Sequence, residues 1–129
     1  VGVPDAVDVA DPVDRDLEPR RAQPAAEQVP LFSRASALQA AWDDAIHSLK
    51  GAKNVIDIRT VGLIAGIELA SRDGAPGTRA YDVFVDCLAS GVLIRVTGDI
   101  IALSPPLIVE KAQIDEMFSR IADLLDTID

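Results

Sequence analysis

The stretch GVLIRVTGDIIAL, Gly91–Leu103, decides the architecture. Val92–Val96 is an apolar, β-branched run and Ile100–Leu103 is a second one. Between them stands Thr97-Gly98-Asp99, a tripeptide suited to a tight turn because glycine tolerates positive φ. Two strands joined that closely must lie antiparallel. Alternation places Leu93, Arg95 and Thr97 on one face of the first strand and Ile94 and Val96 on the other. Pro105-Pro106 then ends the hairpin, since proline suits neither a helix interior nor a central strand.

Upstream, NVIDIRTVGLIAGIEL, Asn54–Leu69, reads as two more strands. In the first, Ile56 and Ile58 are expected on one face, with Asp57 and Arg59 on the other. In the second, Leu63, Ala65, Ile67 and Leu69 share a side, and Gly62 and Gly66 mark a bend or a close backbone approach. Ser71–Gly77, SRDGAPG, is loop chemistry. Helical spacing appears in three places. Leu31, Ala35, Leu38, Trp42, Ala45, Ile46 and Leu49 form the first stripe, with Gly51 as its stop. Tyr81, Phe84, Val85 and Leu88 are the expected inward residues of a helix from about Thr78 to Ser90. Ile114, Met117, Phe118, Ile121, Leu124, Leu125 and Ile128 are those of a last helix from about Glu110 to Thr127, with Glu110 favourably placed at its positive N-terminal end. The order α-β-β-α-β-β-α predicts an α+β fold: a small antiparallel sheet of three to four strands with helices packed on one face.

Residues 1–29 differ from the rest. They hold five of the eight prolines if Pro30 is counted with them, and seven acids against three arginines, with no apolar period. Such a segment buries too little surface to offset its ordering entropy, so 1–29 is expected to be disordered or loosely tethered, with an acidic docking tail as the alternative. Given its acidity and lack of an apolar core segment, no signal or transit peptide is expected within 1–29. Residues 30–129 are expected to form the folded unit.

Composition narrows the function. The 129 residues carry 12 Lys+Arg against 21 Asp+Glu, a formal charge of −9, which argues against nucleic acid as a partner. No apolar run is long enough to span a bilayer, so no membrane partner and a cytoplasmic location are expected. Cys87 is the sole cysteine and His47 the sole histidine, which excludes an internal disulfide and a multi-histidine metal site. No GxGxxG and no GxxxxGK[ST] motif is present. Cys87 is expected to be a buried, inert thiol, and His47, Lys50, Lys53 and Lys111 to be solvated. Arg95 differs because an apolar strand frames it. It is either a rigidly held fork for a carboxylate ligand or an edge-strand arginine paired with a nearby acid such as Asp99 or Glu68.

Together, Asn54–Arg59, Gly62–Leu69, Gly91–Asp99 and Ile101–Ile108 resemble the C-terminal small domain of class III pyridoxal-phosphate-dependent aminotransferases. The resemblance is closest to the omega-amino acid:pyruvate (beta-alanine:pyruvate) branch. It covers about residues 31–129, and the Arg95 strand followed by Ser104-Pro105-Pro106-Leu107 is its most specific part. The resemblance implies a usually homodimeric enzyme that moves an amino group to pyruvate. It also implies that Arg95 grips the substrate carboxylate. In that family a large domain carries the coenzyme-anchoring lysine, the aspartate facing the pyridine nitrogen, the stacking aromatic and the phosphate loop, and none of these is matched here. The 129 residues are therefore expected to be a fragment or remnant, inactive alone and binding no pyridoxal phosphate by themselves. A large-domain chain or a complete aminotransferase subunit is the expected partner. The alternatives are a non-catalytic interaction module docking on such a subunit, and a stand-alone domain binding a small carboxylate through Arg95.

Overall fold

A computed structural model describes residues 30–129 together with Gly2, so the expected disorder of 1–29 lies outside the described residues. The order is α1 (Leu31–His47), β1 (Val55–Val61), β2 (Ile64–Leu69), α2 (Thr78–Ala89), β3 (Arg95–Thr97), β4 (Ile100–Leu103) and α3 (Lys111–Thr127). The strands form one antiparallel sheet in the order β1-β2-β4-β3. The fold is thus the expected α+β arrangement of four strands and three helices.

The sheet is buried on one side. Ala65, Ile67 and Leu69 of β2 and Ile101 and Leu103 of β4 point into the core, and Ile67 faces Ile101 across the central ladder. They meet Trp42 and Ile46 of α1, Val83 and Cys87 of α2, and Ile114, Phe118, Ile121 and Leu125 of α3. With so few aromatics, the Trp42–Phe118 edge-on pair, with ring centroids 5.2 Å apart, is the one large anchor, joining α1 to α3. The N-terminal end of α3 is closed by Gln113, whose side-chain oxygen accepts from the Glu110 N–H at 2.9 Å. Arg34 of α1 donates to the carbonyl oxygens of Ile108 and Val109, which holds the entry to α3 against α1.

Three details depart from the alternating pattern. A bulge between Val55 and Asp57 breaks the β1–β2 register, so Val55 and Ile58 turn toward the core while Ile56 is 62% exposed. On α2 the fully buried residues are the small ones, Ala80, Val83 and Cys87, whereas Tyr81, Val85 and Leu88 are exposed. Phe84 is partly buried against the core, as expected. The rotation of α2 is set at its ends: Arg79 donates to the Ala70 carbonyl, and the Val92 N–H donates to the Cys87 carbonyl at 2.8 Å. Small residues on the inner stripe let the helix approach the sheet closely. The third detail is that β3 begins at Arg95, leaving Val92–Ile94 outside the ladder.

Truncating the central ladder should therefore be costly where the β1 edge is not. Ile67→Ala is expected to destabilise the chain by about 2–5 kcal/mol, and Ile56→Ala by about 0.5 kcal/mol or less, as read from urea unfolding midpoints.

Candidate functional site

The outer face of the sheet carries the candidate site. Gly98, at φ +56°, makes the turn between β3 and β4, and the ladder pairs Arg95 with Ala102, Val96 with Ile101 and Thr97 with Ile100. Since Ile101 is fully buried, Val96 faces inward and Arg95 and Thr97 face outward. The same alternation sets Gly66 beside Ala102, and Arg59 beside Gly66. A row thus runs Arg59, Gly66, Ala102, Arg95 across all four strands, with an arginine at each end and small residues between.

The two arginines are in different states. Arg59 is occupied, lying 2.7 Å from Glu68 and 3.1 Å from Asp57. Arg72 holds Asp82, Arg79 donates to the Asp129 carbonyl oxygen, Arg120 holds Glu116 and the Ser90 carbonyl, and Arg34 reaches the Ile108 carbonyl. Among the described arginines, Arg95 alone has no hydrogen-bond or ion-pair partner among the described residues. The two acids named as its possible partners are both engaged elsewhere. Glu68 is held by Arg59, and Asp99 accepts from the Ser71 hydroxyl and from the Gly77 N–H. Neither Asp99 nor Glu68 therefore pairs with Arg95 in this structure.

Arg95 borders an open apolar trough of about 830 Å3, lined also by Ile64, Leu93, Ser104, Pro105 and Met117. A second trough adjoins it, sharing Ile64, Ser104, Pro105 and Pro106 and reaching Ala35 of α1. Leu93 and Ile64 are 76% and 58% exposed, so the guanidinium stands in a markedly apolar surface. Such an arrangement suits a ligand with a carboxylate at one end and apolar bulk at the other. The sequence pointed to Arg95 and the Pro-Pro segment. It did not point to Ile64 or Met117, which only the sheet order and the packing of α3 bring to the trough.

The other candidates stand apart from it. His47, Lys50, Lys53 and Lys111 are exposed, and none lines either trough. Among the described residues no cluster of His, Cys, Asp and Glu could hold a metal ion, and no helix is long and apolar enough to cross a membrane. Cys87 is fully buried, and burial, with Asp86 adding to it, pushes its thiol from 9.0 up to about 11.

The family profile described as aminotransferase class-III matches residues 23–125. The chain belongs to this family. An omega-aminotransferase of Caulobacter vibrioides is 57% identical over 99 residues, which is 77% of this chain and 23% of that protein. A beta-alanine–pyruvate aminotransferase of Pseudomonas aeruginosa is 32% identical over 98 residues, covering 76% of this chain and 22% of that protein. Among solved structures, an omega transaminase from Pseudomonas jessenii in complex with PMP superposes with a TM-score of 0.68 at 27% identity, covering 74% of this chain and 22% of that one. An adenosylmethionine-8-amino-7-oxononanoate aminotransferase from Methanocaldococcus jannaschii, at 23% identity and a TM-score of 0.70, has the same fold over 77% of this chain and 24% of its own. The chain thus spans about a quarter of the length of the class III aminotransferases it matches.

The Cys87 environment generates a test. Its folded pKa is raised, so between pH 9 and 11 the native state holds a proton that the unfolded state has released. Its stabilising contribution is then full below about pH 9 and is lost as pH rises toward about 11. Cys87→Ala should flatten that alkaline decline in urea titrations, and the native thiol should react with a thiol reagent only as fast as the chain unfolds.

Proposed function

We propose that this chain is the small, substrate-side domain of an omega-amino acid:pyruvate aminotransferase, and that Arg95 receives the substrate carboxylate. The observation that carries the reading is a guanidinium with no partner among the described residues, on a strand beside an apolar trough. Its planar fork can take a carboxylate through two parallel N–H donors. In open solvent such a pair is worth only about 0–1 kcal/mol. It strengthens when a covering body excludes water, because the local dielectric falls. The bare sheet face is in this view half of a site, and the other half lies on a large domain or on a complete aminotransferase subunit. A cytoplasmic location and homodimeric assembly of the complete enzyme belong to the same reading.

Pyridoxal phosphate is the coenzyme of this family and supplies the electron sink for amino transfer. The described residues do not fit it: the chain's three lysines are all exposed, and none reaches the Arg95 trough. These 129 residues are accordingly inactive on their own. Incubated with pyridoxal phosphate and borohydride, Lys50, Lys53 and Lys111 should be labelled no more than any surface amine, and beta-alanine should not aminate pyruvate. Selective labelling of one of them together with turnover would refute the inactivity. The Arg95 role has its own check. Titration with beta-alanine should move the Arg95 Nε–Hε NMR signal and leave those of Arg59, Arg72 and Arg120, which already hold acceptors. An equal response from all four, or no movement of the Arg95 signal, counts against it.

A second reading, a non-catalytic module that docks on a complete aminotransferase subunit, draws support from the exposed Val61, Ile64 and Leu93 on the same face. It predicts hydrophobic-dye binding and a size-exclusion profile that shifts on adding such a subunit. A clean monomer that neither binds dye nor shifts removes it.

A further inference from the structure

The β3 strand is three residues long and lies at the sheet edge, paired only to β4 among the described residues. A strand so short, paired along one side, frays unless its turn is tied down. The turn here is tied at three points, all through Asp99. One carboxylate oxygen accepts from the Gly77 N–H at 2.9 Å, the other from the Ser71 hydroxyl, and the Asp99 carbonyl accepts from the Leu69 N–H at 2.8 Å. The first two bonds come from the loop between β2 and α2, and the third extends the central ladder by one step. Gly77, at φ +81°, also lies with its backbone against Gly98: a Cβ on it would stand 3.5 Å from the Gly98 carbonyl oxygen. The hairpin tip is therefore bonded to the end of β2 and to Gly77, the N-cap of α2, and both elements are fixed by the core.

We infer that Asp99 is a positioning residue for Arg95: its carboxylate bolts the β3–β4 turn to Ser71 and Gly77, fixing where the guanidinium stands while staying occupied itself. This rests on the reading of Arg95 as the carboxylate-receiving group. The second effect matters as much as the first. Asp99 is the acid nearest Arg95 along the strand pair, and released from its two donors it would compete with any incoming carboxylate. Bound to Ser71 and Gly77, it does not.

The test uses the full chain and amide hydrogen exchange, with 15N relaxation of the Arg95 Nε–Hε group. Asp99→Ala should lower protection of the β3–β4 ladder amides by about tenfold or more and raise Arg95 side-chain mobility, while protection in α3 and at the β1–β2 ladder stays within about twofold. Asp99→Asn keeps one acceptor for Gly77 and turns its amide into a donor toward Ser71, so it should restore most of the protection. Should Asp99→Ala fail to fold, Ser71→Ala removes one of the two side-chain bonds and must give the same local pattern at smaller size. Unchanged β3–β4 protection, an even loss across the whole chain, or no recovery in Asp99→Asn overturns the inference. These readouts contain no carboxylate ligand, so they can succeed while the beta-alanine titration of Arg95 fails, and the two readings fall separately.

Discussion

Burial of the sheet on a single side is the constraint from which the rest follows. Once Ile67 and Ile101 face each other beneath three helices, the two-residue period of the strands leaves no freedom for their neighbours. Gly66 and Ala102 must point away from the core, and so must Arg95 through its pairing with Ala102. A shift of one residue in the β3–β4 register would turn the guanidinium to the buried side of the sheet, where α2 packs against β3. Unpaired burial of that kind is strongly unfavourable, so the core enforces the site without touching it.

Much of this was legible in the sequence where the pattern is strict. The hairpin over Gly91–Leu103, the shared side of Ala65, Ile67 and Leu69, and the placement of Arg95 and Thr97 on the face opposite Val96 all follow from alternation and turn chemistry. The face of α2 was not legible, because an amphipathic reading favours the largest apolar residues, and here close approach to the sheet selects Ala80, Val83 and Cys87. Ile56 was misassigned because a one-residue bulge leaves no mark in local composition. The occupancy of Arg59 and Glu68 by one another depends on a cross-strand pairing, and the freedom of Arg95 becomes visible only once those partners are placed.

The chain spans about a quarter of the class III aminotransferases it matches, and its candidate site stands open on the sheet face. An arginine that meets no acceptor among the described residues, beside exposed Leu93 and Ile64, is poorly explained by the needs of this fold, whose other described arginines each satisfy a local carboxylate or carbonyl. Such a group costs little while hydrated and gains most when a ligand and a water-excluding wall arrive together. Under the proposed function, strength and selectivity at Arg95 would come from the assembled pocket, with this domain contributing a pre-set charge.

The bulge at Ile56 bears on the behaviour of the chain in solution. β1 is a seven-residue strand whose outer side has no partner among the described residues, the usual template for uncontrolled strand addition. The extra residue kinks that rim and interrupts its repeat of backbone donors and acceptors, and Asp57 and Arg59 place opposite charges along it. A visiting strand finds no long flat register there, so the rim acts as a guard against amyloid-like stacking even while the neighbouring face lies bare.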